Sequence, residues 1–252
     1  MRLGPFSVPF GASFEGMSLN KNKKYQALCN VIEPIFDVKL KTSFSMVLTG
    51  ASSTGKTNLA VHLIKNQGIF FDKPFEKIVW VSRFKQPKLQ TELKNFNTDF
   101  IQNALPSMDD LKKKKGSASH LLLVIDDMME MASKSEVVGG LFTHGRHMNV
   151  SVLYLTQNLF RRGSQSRDIR LNTNYLILFR NLQDCKQISH FAQQMFPLFL
   201  RQFMLIYADA TRQPYEYLFL DNRPDTHPLL RIRSKLSKDY QIIYSLNGEM
   251  QQ

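Results

Sequence analysis

Five short apolar runs, each followed by polar or glycine-rich sequence, dominate the hydrophobic pattern of the chain. Runs of this length, rich in β-branched and aromatic residues, are typical of strands that are buried on both faces of a sheet. We predict strands at Phe44 to Thr49, Lys77 to Ser82, His120 to Asp126, Asn149 to Thr156 and Asn174 to Arg180.

Segments with helical spacing of apolar residues separate several of these runs. The pattern predicts helices at Tyr25 to Phe36, Asn58 to Asn66, Ser135 to Arg146 and Asp184 to Met195. Strands that alternate with helices predict an α/β fold, in which a mostly parallel central sheet is flanked by helices.

Two further segments complete the pattern. Phe84 to Ser119 is polar and contains prolines, so we predict irregular structure there. Phe203 to Asp209 and Pro214 to Leu220 are predicted to pair as a C-terminal β-hairpin around Ala210 to Gln213, added at the edge of the sheet.

Composition limits the class of protein. The 252 residues are 43% hydrophobic, enough for one domain with a sizeable core. No apolar run approaches the roughly 18 residues of a membrane-spanning helix, and Pro5 and Pro9 interrupt the apolar N-terminus. We therefore expect a soluble intracellular protein with no membrane partner. Cys29 and Cys185 are far apart and predict neither a disulfide framework nor a metal cluster.

The chain is strongly basic, since 33 Lys and Arg against 21 Asp and Glu give a net charge of +12. Such a balance favours a polyanionic partner, of which nucleic acid is the usual one. Lys112 to Lys115 and the segment with Arg161, Arg162 and Arg167 are candidate phosphate contacts, although solvated surface loops are the alternative. We favour the arginine segment over the lysine run.

The segment GASSTGKT has the spacing of a phosphate-binding loop and lies between an apolar strand and an apolar helix. Backbone N–H groups of such a loop converge on phosphates, and its glycines permit close approach. We expect Lys56 to contact the β- and γ-phosphates of ATP, and Thr57 to bind Mg²⁺. The predicted nucleotide-binding residues are Gly50, Ala51, Ser52, Ser53, Thr54, Gly55, Lys56, Thr57 and Asn58.

Two carboxylates follow the apolar run LLLVI, at the strand end where open α/β sheets bind ligands. We predict that Asp126 is the second Mg²⁺ residue and that Asp127 orients or deprotonates the attacking water. Glu130 is the competing base, and a helix N-cap is the alternative role for Asp127. Gln157, at the end of the following strand, is predicted to hold the water and sense the nucleotide.

The combination of GASSTGKT, LLLVIDD and THGRHMNVSVLYLTQ resembles the FtsK–HerA superfamily of ATPases. Within it, the chain is most similar to the DNA-packaging ATPases of double-stranded DNA viruses and Maverick/Polinton elements. The likeness covers roughly Phe44 to Leu220, and Lys56, Thr57, Asp126 and Gln157 match family motifs. Asp127 departs from the Asp-Glu pair of many relatives, and Asn158-Leu159 replaces the Arg-Pro common in cellular members.

The resemblance implies a RecA-like ATPase core, for which we expect residues 37–222, between an N-terminal arm over 1–36 and an extended tail over 223–252. It implies a homo-oligomeric ring, pentamer or hexamer, that hydrolyses ATP between subunits and drives double-stranded DNA through a capsid packaging vertex. Such a motor is located in the virion or at the host-cell site of virus assembly. Arg146 matches the arginine that reaches the neighbour's γ-phosphate, with Arg170 and Arg180 as rivals.

Other function classes fit part of the pattern. A helicase or a conjugation-type pump, acting on single-stranded DNA or protein, is the main alternative. A nucleotide-binding assembly module without hydrolysis is a second, but the intact set of Lys56, Thr57, Asp126 and Asp127 disfavours it. A small-molecule kinase is weaker, because the sequence contains no evident acceptor-binding lid.

Overall fold

A ten-stranded sheet forms the centre of the computed structural model, which describes residues 7–9, 38–160, 163–237 and 240–246. The strands are β1 Ser7–Pro9, β2 Ser45–Thr49, β3 Lys77–Ser82, β4 Thr98–Gln102, β5 Leu121–Asp126, β6 Val150–Thr156, β7 Tyr175–Phe179, β8 Tyr217–Asp221, β9 Ile232–Ser234 and β10 Tyr240–Tyr244. The five strands predicted from the apolar runs are confirmed to within about one residue at each end, the usual uncertainty of element boundaries.

Helices connect the strands and cover the sheet. They are α1 Lys56–Lys65, α2 Gln67–Phe70, α3 Pro87–Glu92, α4 Met108–Lys115, α5 Met129–Ala132, α6 Glu136–His144, α7 Ser166–Leu171, α8 Cys185–Met195 and α9 Leu200–Ala210. Three 3₁₀ turns add Gly145–Met148, Pro197–Phe199 and Pro228–Leu230. The predicted helix at Tyr25 to Phe36 lies outside the described residues.

The sheet order is β1-β10-β9-β8-β7-β2-β6-β5-β3-β4. Strands β7, β2, β6, β5, β3 and β4 are parallel, whereas β8, β9, β10 and β1 add antiparallel pairs on the β7 side. The predicted α/β fold with a mostly parallel sheet is therefore confirmed. Because parallel strands end at the same edge, the turns after β2, β5 and β6 lie together.

Alternation along β5 explains why this sheet is covered on both faces. Leu123 and Ile125 belong to one buried cluster, which also contains Leu141 of α6. Leu122 and Val124 belong to the opposite cluster, which contains the α1 side chains. A strand that buries both faces contains a continuous apolar run, which is the signal seen in the sequence.

Antiparallel strands are present in the C-terminal part, as predicted, but the pairing predicted between Phe203 to Asp209 and Pro214 to Leu220 is wrong. Phe203 to Asp209 lies within the helix α9, not in a strand. Phe203, Tyr207 and Ala210 are buried, and their spacing of four and three residues forms one helical face, while Leu205 is 65% exposed. Only the second predicted strand is found, shifted to β8, and it pairs antiparallel with β7.

The prediction of irregular structure from Phe84 to Ser119 is also wrong, because α3, β4 and α4 lie there. Ser107 caps α4 in a reciprocal capping box with Asp110. The run Lys112 to Lys115 forms the last turn of α4, where cations stabilise the helix dipole. Lys114 also pairs with Asp99 of β4 at 2.7 Å, which gives part of the run a structural role.

The sheet continues past residue 222 into the predicted tail. Arg233 of β9 is buried beside Asp221 of β8, 3.7 Å away, and its guanidinium lies over the Phe219 ring. The tail is therefore extended only in part, and the division of the chain at residues 36 and 222 stays a prediction. Within the described ranges, no helix has both the length and the apolar character needed to cross a membrane. Cys185 is exposed, and Cys29 lies outside the described residues.

Candidate nucleotide-binding site

The loop from Gly50 to Gly55 joins the end of β2 to the start of α1. The Gly50 N–H donates to the Thr156 carbonyl at 3.3 Å, which ties the loop to the end of β6. Within the loop, the Thr54 hydroxyl donates to the Ala51 carbonyl at 2.8 Å. The strand–loop–helix context expected for a phosphate-binding loop is therefore present.

Two loop positions need glycine for different reasons. Gly55 has φ of +98°, in the left-handed region that residues with a Cβ seldom adopt, and it is the N-cap residue of α1. At Gly50, an added Cβ would lie 2.6 Å from the Cβ of Phe179 in the neighbouring strand β7. Gly55 permits the backbone conformation of the loop, and Gly50 allows the loop to pack against β7.

Lys56 points back across the loop. Its Nζ donates to the Gly50 carbonyl at 2.8 Å and to the Ala51 carbonyl at 2.7 Å. Partial burial lowers the pKa of Lys56, and the charges of Asp126 and Asp127 oppose that shift. The ammonium group is thus held among backbone carbonyls at the mouth of the loop, where an anion would be its natural partner.

Asp126 is the most deeply buried carboxylate of the site, with 6% of its surface exposed. Its Oδ2 accepts from the Thr57 hydroxyl at 3.2 Å and from the Gln86 side-chain amide at 3.3 Å. Burial raises the pKa of Asp126, and the two hydrogen bonds counteract part of that effect, while the Asp127 charge adds to it.

Gln86 is a site residue that the sequence interpretation missed. It follows β3, which lies beside β5, so its amide reaches Asp126 from the side opposite β6. A polar amide a few residues after an apolar strand was the available signal, and the same signal identified Gln157. The segment predicted as irregular, Phe84 to Ser119, contains Gln86, and its pattern does not distinguish this amide from its polar neighbours.

The donor set fits Mg²⁺, which the phosphate-binding loop implies. Thr57 and Asp126 present hydroxyl and carboxylate oxygens at one point, and hard oxygen donors suit this cation. Among the described residues, no group of three His, Cys, Asp or Glu side chains forms a cage of its own. Mg²⁺ typically binds through one or two carboxylates together with substrate phosphates, so the set agrees with a metal that arrives with the nucleotide.

The two candidate bases lie in different settings. Asp127 is exposed directly after β5, with a left-handed φ of 53°. Glu130 is exposed on α5 and forms an ion pair with Lys134 at 3.4 Å. The N-cap role considered for Asp127 is wrong, since Met128 is the N-cap residue of α5. Asp127 is therefore free of that structural task, and its role as base stays a prediction.

Gln157 is exposed at the end of β6, the strand between β2 and β5. Thr49 of β2 pairs with Thr156, and Asp126 of β5 pairs with Leu155. The side chain thus starts from the turn between the phosphate loop and the buried carboxylate. A residue that holds water near a terminal phosphate must lie between the phosphate loop and the buried carboxylate, and Gln157 does.

The three candidate arginines lie at two different edges of the sheet. Arg146 is exposed in the 3₁₀ turn before β6, and Arg170 lies on α7 before β7, so both are at the amino ends of the strands. The seven residues of β6 separate Arg146 from its own phosphate loop by about 20 Å. Arg180 follows β7 at the edge of the loop and donates to the Arg212 carbonyl at 3.3 Å.

The arginine segment proposed to contact DNA is only partly described. Arg161 and Arg162 lie outside the described residues, whereas Arg167 is exposed in the first turn of α7. Arg170, on the same helix, instead packs over the Phe160 ring and donates to Gln194 at 3.2 Å. DNA contact by Arg161, Arg162 and Arg167 stays a prediction.

Comparison with protein families adds a decisive observation. The model of the Poxvirus A32 protein family matches residues 36–178, more than half of the chain. The chain belongs to the Poxvirus A32 protein family. The matched region contains the phosphate loop, Asp126, Asp127, Arg146 and Gln157, and the predicted resemblance to the viral branch is thereby confirmed.

Curated proteins of variola virus and vaccinia virus are similar to about half of the chain. The DNA packaging protein OPG160 of variola virus is 27% identical over 128 residues, which cover 47% of this chain and 47% of the relative. The protein of the same name from vaccinia virus, strain Western Reserve, has the same identity and coverage. The match thus spans about half the length of these relatives.

Solved structures show the same fold. The genome packaging NTPase B204 of Sulfolobus turreted icosahedral virus 2, in complex with ATP-gammaS, aligns with a TM-score of 0.52 and 9% identity. That alignment covers 84% of this chain and 100% of the other. The complex of B204 with AMP also gives a TM-score of 0.52, at 11% identity, over 77% of this chain and 97% of the other. The P-loop NTPase fold predicted from the sequence is therefore confirmed.

Proposed function

We propose that the chain is the ATPase of a viral genome-packaging motor, which couples ATP hydrolysis to the movement of double-stranded DNA into a capsid. The observation that carries the proposal is the joining of Lys56, Thr57 and Asp126 at one edge of the sheet. The family of the chain, and the name of its relatives, DNA packaging protein, support the choice of substrate.

Each site residue then has a chemical task. When a nucleotide binds, Lys56 exchanges its hydrogen bonds to the carbonyls of its own loop for contacts with the β- and γ-phosphates. The N–H groups of the loop hold the phosphate chain. Thr57 and Asp126 hold Mg²⁺, which when bound neutralises charge on the β- and γ-phosphate oxygens. Gln86 keeps the Asp126 carboxylate oriented through its amide.

Hydrolysis needs a positioned water. Gln157 and Asp127 directly follow the neighbouring parallel strands β6 and β5, so both lie at the same edge of the sheet as the phosphate loop. In the proposed mechanism Gln157 orients the water and Asp127 accepts its proton, as the bond from the water oxygen to the γ-phosphorus forms and the bond from the γ-phosphorus to the bridging oxygen breaks. The products are ADP and inorganic phosphate.

Ring assembly supplies what one subunit lacks. Arg146 lies about a strand length from its own site, so it is proposed to serve the site of a neighbour in a pentameric or hexameric ring. A guanidinium there stabilises the charge of the transferring phosphoryl group. The net charge of +12 suits the passage of duplex DNA, and we place the ring at a capsid vertex, in the virion or at the site of assembly.

The test is ATP hydrolysis with and without linear duplex DNA, at low and at moderate salt. We expect duplex DNA to raise phosphate release several-fold at low salt, and Lys56→Ala to abolish it. Lys65→Ala is the matched control, because Lys65 lies on the same helix but pairs with Glu92 at 2.8 Å on the surface. It should leave the rate unchanged.

Two results would overturn the packaging assignment. Hydrolysis that ignores duplex DNA at low salt would remove the link to DNA. Efficient separation of a forked duplex into single strands would assign the chain to helicases, because a packaging motor moves intact duplex.

A further inference from the structure

Tyr215 is an exposed aromatic residue in the turn between α9 and β8, with 68% of its surface accessible. Its φ of 66° lies in the left-handed region, which is uncommon for a bulky side chain. Residues in such strained conformations cluster at active sites and ligand-binding sites. The residues around Tyr215 indicate which ligand it could contact.

The Tyr215 ring lies against the phosphate-binding loop. A Cβ added to Gly55 would be 3.2 Å from the Tyr215 Cδ1 atom, and Phe179 of β7 borders the same point. Gly55 directly precedes Lys56 and Thr57, so an aromatic surface adjoins the residues that take the phosphates. None of the roles assigned above uses it.

The order of the strands in the sheet indicates which end of a bound nucleotide would contact the Tyr215 ring. Asp126 is the last residue of β5 and Gln157 follows β6, so both lie on one side of the loop strand β2. The terminal phosphate belongs on that side, because the residues proposed to bind Mg²⁺ and the attacking water lie there. Tyr215 leads into β8, which lies beyond β7 on the other side of β2. The nucleoside end of the nucleotide therefore extends towards Tyr215.

Hydrogen bonds fix the turn that presents the ring. The Gln213 N–H donates to the Glu216 carboxylate at 3.0 Å, and the Glu216 N–H donates back to the Gln213 carbonyl at 3.3 Å. On α9, the buried Tyr207 hydroxyl donates to the Phe179 carbonyl at 2.9 Å and accepts from the Asn181 N–H at 3.0 Å. The helix that leads into the turn is thus tied to the end of β7, beside the phosphate loop, while the turn itself is held by its own two hydrogen bonds.

We propose that Tyr215 is the stacking surface for the base of the nucleotide that the phosphate loop binds. The proposal rests on nucleotide binding at Lys56 and adds the subsite for the base. An aromatic ring can stack on the face of any base. This contact therefore strengthens binding of nucleoside triphosphates without selecting adenine over guanine. The pre-set turn keeps the ordering cost of that contact low.

The test compares the binding of Mg·ATP with that of Mg·tripolyphosphate, which has the phosphates but no base. Tyr215→Ala should weaken ATP binding about 10- to 100-fold, the range that base–aromatic stacking supports, and leave tripolyphosphate binding unchanged. Tyr215→Phe should retain both affinities. Tyr215→Asn should behave as Tyr215→Ala while retaining the fold, because Asn tolerates the left-handed backbone. Lys56→Ala should lose both ligands.

The outcomes separate this proposal from the site itself. Tyr215→Ala and Tyr215→Asn with wild-type affinity for ATP would overturn the stacking surface while Lys56→Ala still confirmed the nucleotide site. Equal losses for ATP and tripolyphosphate would mean that Tyr215 only shapes the loop, which also overturns stacking. Wild-type protein that binds neither ligand would overturn the nucleotide site and the stacking surface with it.

Discussion

The Thr57 hydroxyl donates to the Asp126 carboxylate over 3.2 Å, which joins the first turn of α1 to the end of β5. The two residues are 69 positions apart in the chain, and the parallel sheet brings them together. Neutral donors, Thr57 and Gln86, are the hydrogen-bond partners of this buried carboxylate. Because burial dominates and raises its pKa, folding places Asp126 where a bound cation would be stabilising.

Asp126→Asn should therefore stabilise the fold and abolish hydrolysis. A raised pKa means that the folded state holds the Asp126 proton more tightly than the unfolded chain. The stability contributed by this group is present below its ordinary pKa and is lost as pH rises through the raised value. At neutral pH, Asn removes that loss, and we expect a gain of roughly 0.5–2 kcal/mol, as for other relieved functional sites.

Urea denaturation of the nucleotide-free protein between pH 4 and pH 8 measures this gain, which should shrink towards the acid end. Asp99→Asn is the control, since, against the effect of its partial burial, hydrogen bonds from Lys114 and Lys77 hold the pKa of Asp99 below its ordinary value. By the same linkage this change should destabilise the fold at neutral pH, and the loss should shrink towards the acid end. A destabilised Asp126→Asn protein at neutral pH would contradict the account of Asp126.

The choice between Asp127 and Glu130 as base makes a second prediction. Asp127 directly follows β5, at the same edge of the sheet as Gln157, whereas Glu130 forms an ion pair with Lys134. Asp127→Asn should lower kcat by about 10²–10⁴-fold, the usual contribution of a general base, and retain ATP binding. Glu130→Gln should change kcat less than about threefold, since it alters only an exposed ion pair.

Steady-state phosphate release and ATP binding, measured on both variants, decide between the two residues. The reverse pattern, with Glu130→Gln inactive and Asp127→Asn active, would move the base to α5. Asn is a fair replacement because it tolerates the left-handed backbone of Asp127, so loss of activity would not reflect strain.

Gly50→Ala should damage the loop through a steric clash. Its Cβ would lie 2.6 Å from the Cβ of Phe179, which is 1% exposed and has no room to move. Overpacking of this kind costs about 1–3 kcal/mol, and displacement of the loop should weaken ATP binding as well. Urea midpoints and ATP titration measure the two effects.

Gly140→Ala is the matched control for Gly50→Ala. Gly140 lies within α6, and apart from its chain neighbours and the backbone of its own helix, no atom of the described chain comes within 4 Å of an added Cβ there. Removing a glycine from a helix interior should stabilise the fold by roughly 0.5–1 kcal/mol and leave ATP binding unchanged. Equal behaviour of the two variants would show that the contact with Phe179 is unimportant.

The features readable from the sequence are those set by local chemistry. The loop from Gly50 to Thr57 follows an apolar strand and precedes an apolar helix, and the strand ending at Asp126 is a continuous apolar run, so neighbouring residues alone predict both, and both are found. Gln157 is predicted as a site residue only because it follows the strand that comes after Asp126 in the chain. The structure adds that β6 inserts between β2 and β5.

The remainder depends on contacts between segments distant in sequence. The run around Phe203 is apolar at nearly every position, so periodicity does not separate strand from helix there, and packing of one face decides. Gln86 and Tyr215 lie in polar connections whose residue types are ordinary. Their relation to the site appears only in the folded chain, where Gln86 donates to Asp126 and Tyr215 lies beside Gly55.

Arg146 gives the last prediction, because it lies about a strand length from its own phosphate loop. Arg146→Ala alone should reduce hydrolysis by about 10³-fold or more, the contribution of an arginine supplied to phosphoryl transfer. Mixing Arg146→Ala with Lys56→Ala subunits should restore part of the activity, because some interfaces then combine an intact loop with an intact arginine. Arg180→Ala, at the edge of the loop itself, is the control. If hybrid rings of confirmed mixed composition remain inactive, or if only Arg180→Ala is complemented, the role across the interface does not belong to Arg146.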